Sequence, residues 1–233
     1  MLGAVHQRLG ELEAKSLAQR IPPLPRSLDA ILRELDREEA TTWSVGKIVA
    51  SDPVLAGRIL RMARSGFYSR GREVKRVDEA VARLGLRTTR NLALAASLRQ
   101  IRAPEHLVYG TDGFFLHCFT TAHVAVGLAR ARRLDSDIVF LAGLMHDVGL
   151  LVETLDYDHA AVGRVIAQHW KLPAEVGQII ADHHEPDDDP STRAVHFADL
   201  ACEANGVGLP APVDVSSDDP MFAEAMDLVP EAL

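Results

Sequence analysis

Phe140-Leu-Ala-Gly-Leu-Met-His146-Asp147-Val-Gly-Leu-Leu-Val152 sets an imidazole and a carboxylate side by side in the middle of an apolar run. With Ile138 and Val139 the run stays short of the roughly 18 uncharged apolar residues of a membrane span. Two ionisable residues also interrupt it, so the stretch predicts a buried core helix. An unpartnered carboxylate in such a setting is expensive, and its usual remedies are protonation, ion pairing or a metal. Other polar groups that turn inward are therefore its candidate partners.

Three more segments carry them. Before Pro186, Val176, Ile179, Ile180, His183 and His184 fall at i, i+3, i+4, i+7 and i+8, the spacing of one buried helix face. After Ser191, which is expected to cap its helix, Val195, Ala198, Asp199 and Cys202 repeat that spacing and aim Asp199 at the core. His117 shares the side of Phe114, Thr121 and Val124 on a long helix expected to end near Arg133, and His159 opens another after Asp158. Gly143, Gly149, Gly163 and Ala198 would let these helices approach closely. Neutral imidazoles and carboxylates together suit borderline divalent ions, so one or two of iron, manganese, zinc or nickel are the expected cofactors. His123 sits about 120° around the helix from His117 and is read as structural, as are His6, His106, His169 and His196. Cys118 and Cys202 read as small buried hydrophobes.

The order His117, His146-Asp147, His183-His184, Asp199 resembles the HD superfamily. IPPLP (21–25), SDPVLAGRILRMARSGFYS (51–69) and VDEAVARLGLRTTRNLALA (77–95) resemble the front of the HDOD family. FLAGLMHDVGLLV (140–152), DHAAVG (158–163) and ADHHEP (181–186) resemble its second part, so the likeness covers about residues 20 to 205. It implies an all-α HD-superfamily helical bundle with an N-terminal helical subdomain. It also implies a metal set of His117, His146, Asp147, His159, His183, His184 and Asp199. Its functional implication is a bacterial signal-transduction output or regulatory module; the alternative is a metal-dependent phosphohydrolase with Asp147 as catalytic residue. The chain departs from catalytic relatives of the HD-GYP type. Leu150 follows Gly149 where those carry lysine, and Glu185-Pro186-Asp187-Asp188 replaces their Gly-Tyr-Pro loop.

Four segments are expected: a lead or helix over 1–20, helical subdomains over 21–105 and 106–206, and an acidic tail over 207–233. Pro104 to Asp112 forms the connection, and the tail is loose until a helix near Met221 to Met226. Asp52-Pro53 reads as a helix start, with Asp52 as cap and Pro53 at the first position. The net charge of −8 argues against nucleic acid as partner, and two cysteines among 233 residues fit a reduced, cytoplasmic setting. No signal peptide or membrane segment is expected, and oligomeric state stays open. The charge is uneven. From Arg58 to Arg102 twelve Arg or Lys oppose Glu73, Asp78 and Glu79, whereas from Asp187 onward eleven acids oppose Arg193. Such asymmetry fits an anionic partner for the basic part, the two parts facing each other, or a solvated Arg-rich surface. With the resemblance, the expected partner is a signalling protein or a small anionic ligand.

Overall fold

The computed structural model describes residues 21, 24–64, 74–98, 101, 104, 107, 110–152, 158–209 and 212–233. The expectations for 1–20, His6 and His106 lie outside them, as does most of the connection before residue 110. Among the described residues there are eleven α-helices, one short 3-10 helix and no strand. The chain divides into two compact units, one over residues 23–100 and the other over residues 101–233 together with Ile21.

The first unit holds α1 (Arg26–Leu35), α2 (Thr42–Ala50), α3 (Pro53–Arg64), α4 (Val77–Leu84) and α5 (Leu86–Leu98). Local chemistry sets their starts. Thr41 and Ser44 form a capping box on α2. Asp52 Oδ1 accepts the N–H groups of Val54 and Leu55 at 3.0 Å, which begins α3 behind Pro53 as its sequence suggests. Leu28, Ile31, Val45, Val49, Ile59, Val81 and Leu94 fill the core. Part of the basic stretch is structural, since Arg58 Nη1 donates to the Ala96 carbonyl at 2.8 Å and Arg64 Nε to that of Val74 at 2.7 Å.

The second unit holds α6 (Gly110–Ala131), α7 (Ser136–Met145), the 3-10 helix (Val148–Leu151), α8 (His159–His169), α9 (Ala174–Asp182), α10 (Pro190–Ala204) and α11 (Pro220–Ala232). Helix α6 packs on α7, α10 and α11, while α8 lies on α9 and on the 3-10 helix. The acidic stretch read as a tail carries a packed helix. Met221, Phe222, Ala225 and Val229 of α11 are buried, Arg132 Nη2 pairs with Glu224 at 2.6 Å, and Arg193 pairs with Asp219. The start of α10 also differs from its sequence reading. Its cap is Asp189, whose Oδ2 accepts the Thr192 N–H at 2.7 Å, and Pro190 stands at the first position ahead of Ser191.

Glycines set the closest approaches. A Cβ on Gly143 would stand 2.9 Å from Ala122 Cα, and one on Gly163 2.7 Å from Ile180 Cγ2. At Gly149 it would fall onto the backbone carbonyl of His159. These contacts draw α7 onto α6, the 3-10 helix onto the start of α8, and α8 onto α9, around the places where His146, Asp147 and His159 emerge. Gly149→Ala should therefore cost about 1–3 kcal/mol through overpacking. Gly177→Ala in α9, whose new methyl meets Ala167 Cβ at an ordinary 3.7 Å, should be neutral or stabilising by about 0.5–1 kcal/mol. Urea unfolding midpoints of the two variants check the contrast.

Candidate metal centre

Most of the inward polar residues sit at helix ends, where a side chain can aim off the helical face. Helix α7 stops at Met145, so His146 caps it and Asp147 occupies the turn before the 3-10 helix. His159 is the first residue of α8, behind the cap Asp158. His183 caps α9 and His184 follows it. His117 and Asp199 come from the interiors of α6 and α10.

The structure brings all seven together. Asp199 Oδ1 lies 3.0 Å from His117 Nε2 and 3.3 Å from His146 Nε2. Asp147 Oδ2 lies 3.5 Å from His146 Nε2 and 3.8 Å from His117 Nε2. The other oxygen, Asp147 Oδ1, faces a different pair, His159 Nε2 at 3.2 Å and His183 Nε2 at 3.8 Å. His184 Nε2 approaches His159 Nε2 at 2.8 Å. One carboxylate thus stands between two groups of donors, His117/His146/Asp199 and His159/His183/His184. Within each group the donor atoms lie no more than 4.8 Å apart.

Second contacts orient the rings. His146 Nδ1 meets the Gly143 carbonyl at 2.8 Å and His183 Nδ1 the Ile180 carbonyl at 2.7 Å. A carbonyl only accepts, so each Nδ1 carries a hydrogen, and each ring when neutral presents its Nε2 lone pair to the centre. Short as the distances are, His146 Nε2, His183 Nε2 and Asp199 Oδ1 complete no hydrogen bond and are buried. Orphaned buried acceptors converging from imidazoles and carboxylates are the chemistry of a divalent-metal site, and this donor set fits one.

The structure departs from the sequence reading at His184, which is exposed while His183 is fully buried. Helix α9 ends at Asp182, so the helical stripe that placed both inside does not extend to it. His123 is structural as read, its Nδ1 hydrogen-bonded to the Phe119 carbonyl at 2.8 Å. His196 has a role the sequence reading did not give it, since its Nδ1 donates to the His183 carbonyl at 2.7 Å and steadies that turn. Glu203 was also passed over. It sits one turn beyond Asp199, and burial, with Asp199 and Asp147 adding to it, pushes its carboxyl up to about 7. Its i+4 spacing from Asp199 was the signal for it.

A family model described as the HDOD domain matches residues 21–155, and one described as the HD domain matches residues 114–204. An HDOD domain protein of Geobacter sulfurreducens has a similar fold, with a TM-score of 0.68 and 22% identity, covering 90% of this chain and 86% of that one. A candidate metal-dependent phosphohydrolase of Shewanella amazonensis gives 0.67 and 20%, with 94% and 95% covered. Ribonuclease Y of Thermus thermophilus is 35% identical over 83 residues, which is 35% of this chain and 14% of that protein. The chain spans 39% or less of the length of the curated relatives it matches in sequence.

The two carboxylates govern the protons. Burial opposes charge on His146, yet Asp147 and Asp199 outweigh it and push its pKa up to about 10. His117 and His159 are raised in the same way against their burial. His183 is pushed down to about 3 by burial and by the charge of His146 and His184. The carboxyls of Asp147 and Asp199 lie below the ordinary range because neighbouring imidazolium charge overcomes their burial. A raised histidine stabilises the fold fully below its unfolded value near 6.5 and loses that contribution as pH climbs through its folded value. A depressed histidine opposes folding below 6.5. Stability of the chelator-treated chain should therefore be greatest near pH 6.5, falling toward pH 10 as His146 deprotonates and toward pH 3 because folding keeps His183 neutral. Thermal melts across that range check it. A divalent ion added at pH 8 should release protons, measurable as a buffer-dependent binding enthalpy.

Proposed function

Since the chain belongs to the HDOD family, we propose that it is a regulatory output module of bacterial signal transduction built around a divalent-metal centre. His117, His146, Asp147 and Asp199 hold one position, and His159, His183 and His184 complete a second one beside Asp147. The observation that carries this reading is the mismatch between a full donor set and the acidic character of its exposed side. Beyond exposed His184 come Glu185, Asp187, Asp188 and Asp189, all exposed. Leu150 stands after Gly149, and Arg193 on the neighbouring helix is paired with Asp219. Such a rim repels a phosphoester and admits a cation. The partner is a signalling protein or a small anionic ligand, and the basic stretch of the first unit is the complement for either.

A second reading, a metal-dependent phosphohydrolase, is favoured by the way the two oxygens of Asp147 face separate donor groups. The 83-residue likeness to a ribonuclease also favours it. In that reading the ions supply Lewis acidity toward a phosphoryl oxygen, and Asp147 holds them in register.

Metal analysis of tag-free protein, followed by assays with bis(p-nitrophenyl) phosphate and cyclic dinucleotides in manganese or iron, separates the two. Bound metal that Asp147→Ala loses, with turnover no greater than the free-metal blank, is the expected result. Rapid hydrolysis abolished by Asp147→Ala would put the phosphohydrolase first, and a metal-free protein would end both readings.

A further inference from the structure

The two donor groups differ in ways that matter for how an ion would stay. In the first, the side chains of His117, His146 and Asp199 are 3%, 0% and 6% exposed. That group has its own carboxylate and one oxygen of Asp147, and Glu203 adds a third acid within electrostatic reach of Asp199 and His117. The second group is three imidazoles with the remaining Asp147 oxygen. Its His159 is 25% exposed and His184 lies open to solvent, leaving only His183 enclosed. Anchoring differs too. His183 is fixed through Nδ1 by the Ile180 carbonyl, whereas His184 Nε2 meets another ring nitrogen, His159 Nε2, at 2.8 Å.

We propose that the two positions are unequal, with His117, His146 and Asp199 retaining an ion while His159, His183 and His184 form an exchangeable position for a late first-row divalent ion such as zinc. This rests on the reading of the centre as a divalent-metal site and adds its regulation. Three imidazoles suit zinc, cobalt or nickel better than manganese or magnesium. Nitrogens bound tetrahedrally at zinc distances stand about 3.3 Å apart. The exposed ring of His184 therefore has a short swing to make between the 2.8 Å contact with His159 and a coordinating position. The hydrogen bond within that pair satisfies both ring nitrogens whenever an ion leaves, so emptying the position strands no buried polar atom on either ring. An ion there joins the first residue of α8 to the turn after α9 through Asp147. Metal supply is thereby read out as the coupling of that turn to α8, next to the acidic rim.

The test uses the full chain saturated with zinc, then challenged with excess nitrilotriacetate, with bound metal followed over time by mass spectrometry. Two equivalents are expected, one leaving at least roughly tenfold faster than the other, as fits a His184 ring that has no backbone anchor among the described residues. His184→Ala, a change at an exposed position, should hold one equivalent with no fast phase, its fold checked by circular dichroism. Two equivalents leaving at the same rate would overturn the inequality while leaving the metal centre standing. So would a fast phase that persists in His184→Ala. Failure of the unmodified chain to bind zinc, manganese or iron would instead overturn the metal reading itself.

Discussion

Asp147 and Asp199 are two buried carboxylates a few ångströms from the same imidazoles, and the second unit is organised around keeping them ionised. Desolvation alone would protonate both. What holds them charged is positive charge delivered from several directions, as imidazolium or as a metal ion. His117 arrives on α6, His146 at the end of α7 and His159 at the start of α8, while His183 after α9 stays neutral and offers its lone pair to an ion. Each helix therefore contributes to one electrostatic problem, and displacing any one leaves uncompensated charge in a closed interior.

That demand explains the severity of the packing beneath the centre. Asp147 lies in a turn because α7 stops at Met145, and the turn can press onto α8 because residue 149 has no side chain. The apolar layer of Leu144, Met145, Ile166, Ile179 and Ile180 keeps the donors' far sides dry. Burying each of these side chains is worth about 1.5–3 kcal/mol, and together they offset the desolvation of the carboxylates and imidazoles above them.

Much of this was legible in the sequence, for identifiable reasons. His146, Asp147 and Asp199 stood out as polar residues within apolar patterns, and a pattern of that kind survives folding wherever the helix or its last turn is continuous. His184 did not follow, because periodicity carries no information past the last helical residue. The end of α6 lies close to the expected Arg133, and two helices stop without the glycine that usually marks such an end. Arg133 and Lys171 adopt left-handed backbone conformations, at φ 58° and 53°, and the returns Leu134 N–H to Ala129 O and Leu172 N–H to Ala167 O terminate α6 and α8 there. The start of α10 was read at Ser191, whereas Asp189 caps it and Pro190 takes the first helical position. Helix α11 announces itself by Asp219-Pro220, the same signal as Asp52-Pro53. It runs to Ala232 although Pro230, which lacks an N–H, lies inside it.

The placement of α11 has a mechanical consequence. It is tied to α6 through Arg132 and Glu224 and to α10 through Arg193 and Asp219, and Leu228 is wedged against Gly127. Those are the helices that carry His117 and Asp199. A load applied to the C-terminal segment would be delivered along two rigid rods to a pair of donor atoms 3.0 Å apart, so that this stretch acts as a handle on the centre without touching it.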